Sequence, residues 1–211
     1  MKKFVLFDFD GVIADSFPLC VEVMKEICSE MTIEEQRASF DGNVHDGFAQ
    51  LMKRVHGPEC HHDRDWFNTY LPHFDRVQPF PNVLDAISAL SHSYILIVVS
   101  STITSPIQGF LEKHHIGRYF SEVLGADVHQ YKDKKIQMIF ERYGVNPEDC
   151  VFVTDTLGDM KEARSVGVGS IATSYGFQGR ESLMRGEPFR IVDTAREIPD
   201  AVDGYFARPT A

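Results

Sequence analysis

Short, unbroken apolar runs recur along the chain, separated by longer stretches in which apolar residues return at helical spacing. Phe4–Phe9 is apolar except for Asp8, and Ile95–Val99, Cys150–Thr154, Gly169–Thr173 and the brief Arg190–Val192 follow it. Runs of this length, rich in β-branched residues and without alternation, predict strands buried on both faces of a parallel sheet. Between them, Ser105-Pro106 reads as an N-cap with a first-turn proline, and Asp159 with Glu162 and Thr194 with Glu197 read as capping boxes. Strand–helix alternation of this kind predicts a doubly wound α/β fold whose ligands bind at the carboxyl ends of the strands.

The alternation breaks between Ser16 and Pro79, where helical patterns fall around Leu19–Met31, Thr32–Phe40, Gly47–His56 and Asp65–Phe74. We expect residues 16–79 to form a helical insert and residues 1–15 and 80–211 to form the α/β core. Trp66, Phe67, Tyr70 and Phe74 share helical spacing and read as the insert's own core. His56, Cys60, His61 and His62 lack paired metal-ligand spacing and read as an exposed polar loop.

Composition narrows the class. Hydrophobic residues at 43% and charged residues at 25% suit a globular chain with a sizeable core. No apolar run reaches the roughly 18 residues of a membrane span. Asp8 and Asp10 interrupt the first apolar run before it reaches the length of an export signal, so the expected location is cytoplasmic. Four cysteines without a CxxC pair argue against a disulfide framework. A formal charge of −10 without a basic patch excludes nucleic acid and anionic membranes as expected partners, and an anionic substrate then needs a local cation.

The chemistry-bearing segments lie where the apolar runs end. In Phe-Asp-Phe-Asp-Gly-Val-Ile-Ala-Asp-Ser (residues 7–16), Asp8 and Asp10 are two apart and point to one side of an extended chain. A strand-ending carboxylate is costly unless paired or metal-bound, and Gly11 permits a sharp turn with a ligand close to the backbone. Two neighbouring carboxylates call for a divalent cation, or for one to stay protonated as a general acid must. Asp155 and Asp159 in Val-Thr-Asp-Thr-Leu-Gly-Asp-Met offer the hard oxygen ligands that magnesium favours, although Asp159 also suits a helix cap. Ser100-Ser101-Thr102 offers hydroxyls and backbone N–H groups for phosphate, and Lys132 offers a positive charge.

In order and spacing these segments resemble the motifs of the haloacid dehalogenase-like superfamily, in particular its phosphoglycolate phosphatase and β-phosphoglucomutase-like branch. Residues 8–16 match its D-x-D-G-x-x-x-D-S signature, Ser100 its Ser/Thr motif, Lys132 its basic residue, and Asp155 with Asp159 its D-x-x-x-D motif. The resemblance implies a Rossmann-like core with a helical cap and an Mg2+-dependent phosphatase acting on a small phosphorylated metabolite, as monomer or homodimer. Asp8 would be the nucleophile and Asp10 the acid and base, while Ser100, Ser101 and Lys132 would hold phosphate. Asp8, the Asp10 backbone carbonyl, Asp155 and Asp159 would hold the metal. Asp133 stands where many relatives carry proline, so Lys134 and Lys135 are alternatives to Lys132. The segment Gly42–Phe48 carries no arginine, which weighs against a phosphomutase; that activity and a catalytically silent binding module are the alternative readings.

Overall fold

The computed structural model describes residues 2–53, 60–61 and 65–208. The strands are β1 (Phe4–Phe7), β2 (Ala14–Asp15), β3 (Gln78–Pro79), β4 (Ile95–Val99), β5 (Phe120–Leu124), β6 (Cys150–Thr154), β7 (Gly169–Thr173) and β8 (Arg190–Val192). Six of them form a parallel sheet in the order β5-β4-β1-β6-β7-β8. Alternation along β1 sends Val5 and Phe7 into one apolar layer and Phe4 and Leu6 into another, so the sheet is covered on both faces. Helices α5 (Val83–Ser91), α6 (Thr104–Lys113) and α9 (Ile198–Phe206) contribute Ile87, Phe110 and Val202 to the first layer. Helices α7 (Lys132–Tyr143) and α8 (Leu157–Ser165) contribute Ile136, Ile139 and Ala163 to the second.

This is the doubly wound α/β fold expected from the apolar runs. Strand order reverses at β1, which lies between β4 and β6, and the carboxyl ends there form the crevice in which such sheets bind ligands. The expected strands are all present. β5 is an addition: its Phe-Ser-Glu-Val-Leu sequence sits at the sheet edge with its first four residues only partly covered or exposed, so it lacks the unbroken apolar run of a central strand.

Between β2 and β3 lie α1 (Phe17–Ile27), α2 (Ile33–Ala38), α3 (Val44–Met52) and α4 (Trp66–Tyr70), the last continued by a 3-10 turn over Leu71–Arg76. β2 and β3 pair antiparallel, so the two chain passages flanking this helical stretch are tied together beside the sheet. Its own small core joins Met24, Cys28, Met31 and Leu51. Tyr70 and Phe74 instead join the large layer against the sheet, packing with Phe9 and Phe110.

Three local readings need correction. Cys28 and Cys60 form a disulfide, a pairing that a separation of 32 residues without CxxC spacing does not reveal. His56 and His62 lie outside the described residues. The N-cap of α8 is Thr156, whose hydroxyl accepts the Asp159 N–H, and the Asp159 carboxylate turns inward rather than capping. α6 begins at Thr104, so Ser105 and Pro106 fall inside its first turn and Thr104 bonds Asp127 instead. The Thr194–Glu197 capping box is present.

Candidate active site

Asp8 and Asp155 leave the carboxyl ends of adjacent parallel strands β1 and β6, and that register brings them to one place. α8 starts immediately afterwards and delivers Asp159 from its first turn. One carboxylate oxygen from each of Asp8, Asp155 and Asp159 lies within 4.8 Å of the other two, all three residues being buried. Gly11, at φ +76°, makes the close approach possible, because a Cβ there would collide with the Asp155 carboxylate.

Lys132, at the first turn of α7, is the cation in this cluster. Its Nζ lies 2.8 Å from Asp8 Oδ2 and 2.7 Å from Asp159 Oδ2. Lys135 points instead to the carbonyls of Ser100, at 2.5 Å, and Gly125, at 3.4 Å, while Lys134 faces Asp133 and Gln137 at the surface. Of the three lysines, Lys132 alone meets the carboxylates. Glu162 fixes the start of α7: Oε2 accepts the N–H of Lys132 at 2.5 Å and of Asp133 at 3.3 Å, and Oε1 accepts Asn43 Nδ2 at 2.7 Å.

Asp10 stands apart from the acidic cluster. Its Oδ1 accepts the Ser16 hydroxyl and its Oδ2 the Thr102 hydroxyl, each at 2.7 Å. Ser100 is wholly buried, its Oγ accepting the Thr102 N–H at 3.0 Å, whereas Ser101 and Thr102 line the cavity above. Thr154 donates to Asp159 Oδ2 at 2.7 Å, a bond that a glycine there would not make.

Charges in the site are set by burial first. Desolvation raises Asp8 well above the usual carboxylate range despite Lys132, and raises Asp10 despite the two hydroxyls. Asp155 is pushed up to about 8 by burial, against which the Phe177 N–H bond at 2.6 Å works. Burial acts the same way on Asp159, but Lys132 and its hydrogen bonds outweigh it and hold the carboxylate below its usual value. Lys132 is raised, since its two carboxylate partners outweigh its burial.

This donor set suits a divalent cation. Among the described residues, Asp155 Oδ1 is buried with no hydrogen-bond partner, and Lys132 is the one cation set against the three carboxylates of the cluster.

The profile of haloacid dehalogenase-like hydrolases matches residues 5–173, which span β2 to β7, most of β1 and all these carboxylates. The chain belongs to that family. Among relatives, phosphoglycolate phosphatase 1 of Pseudomonas aeruginosa is 23% identical over 96% of this chain and 80% of its own length. Phosphoglycolate phosphatase of Synechococcus elongatus is 26% identical over 94% of this chain and 96% of its own. A haloacid dehalogenase-like hydrolase from Streptococcus pneumoniae shares the fold at a TM-score of 0.81 and 21% identity, over 95% of this chain and 98% of that one.

Helices α1, α3 and α4 roof this cluster, leaving a cavity of about 400 Å³ above Asp8, Asp10 and Lys132. Sequence reasoning missed Ser16 and Thr102 as partners of Asp10, and Glu162 as the anchor of α7. Ser16 and Thr102 lie within the motifs already singled out; Glu162 carried only a capping signal, and the Phe177 N–H carried none.

Proposed function

We propose that this chain is an Mg2+-dependent phosphatase that hydrolyses small phosphate monoesters through an aspartyl-phosphate on Asp8. The observation that carries this reading is the convergence of Asp8 on Lys132, Asp155 and Asp159 at the ends of β1 and β6, with Asp10 held separately alongside.

In the first step an Asp8 carboxylate oxygen bonds to phosphorus while the ester P–O bond breaks, and the departing alcohol oxygen takes a proton from Asp10. Burial favours the protonated form of Asp10 needed here, and Ser16 with Thr102 fixes where the proton is presented. In the second step Asp10 takes a proton from water, the water oxygen bonds to phosphorus, and the bond from phosphorus to Asp8 breaks. Inorganic phosphate leaves and Asp8 is restored. Lys132 and Ser101 face the transferring oxygens, with Ser100 directly behind, while Lys132 also orients Asp8. Magnesium, held by Asp8, the Asp10 backbone carbonyl, Asp155 and Asp159, would neutralise the charge gathered on phosphoryl and carboxylates.

Turnover of acetyl phosphate and p-nitrophenyl phosphate with magnesium, abolished by EDTA and restored by added magnesium, is the expected result. Absence of turnover across these and a broad metabolite panel would contradict the reading. Residues 16–79 act in it as the cap that excludes water and chooses the substrate. The place of action we infer is the cytoplasm.

A further inference from the structure

The part of the cavity beyond the phosphoryl position has a definite chemistry. Met24 from α1, Val44, Phe48 and Met52 from α3, and Trp66 and Phe67 from the start of α4 form its wall. The aromatic members are packed edge to face: Phe48 and Trp66 at 6.1 Å between ring centres, Trp66 and Phe67 at 5.3 Å. Among the described lining residues the only lysine is Lys132, already engaged by Asp8 and Asp159, and there is no arginine. The cap side carries the Asp65 carboxylate instead.

Besides Asp65, the polar residues Gln36 and Ser39 and one histidine line the cap side. His45 lines the cavity, and its Nε2 is buried with no hydrogen-bond partner among the described residues. Burial, with Lys135 and Lys132 adding to it and Asp46 opposing, holds this imidazole below its usual value and favours its neutral form.

A substrate carboxylate in this chamber would be stripped of water against methionine and aromatic surface, and among the described cap residues lining it the charged group it meets is Asp65. An apolar group would gain from the same burial. We propose that the alcohol portion of the substrate is uncharged and largely apolar, an aromatic or bulky aliphatic group seated against Phe48, Trp66 and Met52 with one hydrogen-bonding atom at His45 Nε2. This deepens the phosphatase reading and rests on it.

The test compares benzyl phosphate, 2-phosphoglycolate and acetyl phosphate as substrates of the full chain with magnesium. The expected kcat/KM for benzyl phosphate exceeds that for 2-phosphoglycolate by at least about tenfold. Preference for 2-phosphoglycolate, with acetyl phosphate turned over, overturns this inference and leaves the phosphatase reading standing. No turnover of any of the three overturns both. Phe48→Arg places a cation on the wall and is expected to shift the ratio toward 2-phosphoglycolate by about tenfold or more. Met52→Lys carries the same expectation if that variant does not fold. A ratio unmoved in a folded variant counts against the inference.

Discussion

Four aspartates share this site, three of them buried and Asp10 half-buried, and each keeps or loses its charge by different means. Asp159 is held ionised by Lys132 and Thr154, Asp10 is braced by two hydroxyls, and Asp155 keeps one oxygen unpartnered. Asp8 faces Lys132 at 2.8 Å and is the group that the proposed mechanism phosphorylates. Replacing the hydroxyl that braces Asp10, as in Thr102→Val, should lower kcat by about tenfold while moving KM little, measured by steady-state kinetics. Lys132→Met should destabilise the fold by about 3–5 kcal/mol at neutral pH in denaturant titrations, because it strands two buried carboxylates. At this scale the sequence was legible where a charged residue ended an apolar run, as Asp8 and Asp155 do. It was not legible for Ser16 and Thr102, whose partner lies in a distant segment or on the far side of a turn.

Elements carry these residues to one another. Adjacent parallel strands β1 and β6 align Asp8 with Asp155, and α7 delivers Lys132 because Glu162 of α8 holds its first N–H groups. Glu162→Ala should therefore cost about 1–3 kcal/mol in stability and lower turnover as well, since it frees both the α7 start and Asn43. At the other end of β6, Asp149 accepts Lys3 Nζ at 2.8 Å and the Asn146 N–H at 3.2 Å. Its pKa is lowered from the usual 3.8, with Lys3 as the first cause. A depressed carboxylate contributes stability that is complete above the unfolded value and disappears as pH falls through the folded one. Asp149→Asn should therefore flatten the loss of stability below about pH 4, followed by chemical denaturation across the acid range. Central strands announced themselves as unbroken β-branched runs. Edge strand β5 did not, because partial exposure lets Ser121 and Glu122 interrupt its pattern. Caps were read well only where the box was local, as at Thr194; at α8 the neighbouring Thr156 took the role, and at α6 the first N–H goes to Asp127 from a distant segment.

Across the whole molecule, the acidic cluster sits between the sheet's carboxyl edge and the helical roof of α1, α3 and α4. Crowded carboxylates oppose folding when charged, so a divalent ion bound there should stabilise the native chain. Magnesium at roughly 100 times its dissociation constant is worth about 2.7 kcal/mol, or about 5–10 °C in Tm for a chain of this size. Differential scanning fluorimetry with and without EDTA measures it. The insert's existence was legible as an interruption of the strand–helix rhythm. The roof's apolar face was not, because the spacing of Trp66, Phe67, Tyr70 and Phe74 is the same whether a ring faces core or cavity. Packing divides them: Tyr70 and Phe74 join the core, while Trp66 and Phe67 meet the open space.

Everything in the mechanism depends on Asp8 becoming the carrier of the phosphoryl group. Rapid acid quench during turnover of acetyl phosphate, followed by peptide mass spectrometry, reads this directly. A phosphoryl adduct on the peptide containing Asp8, absent together with turnover in Asp8→Asn, is the predicted result. An Asp8→Asn variant that keeps a near wild-type rate, or an adduct located on a different residue, would contradict it.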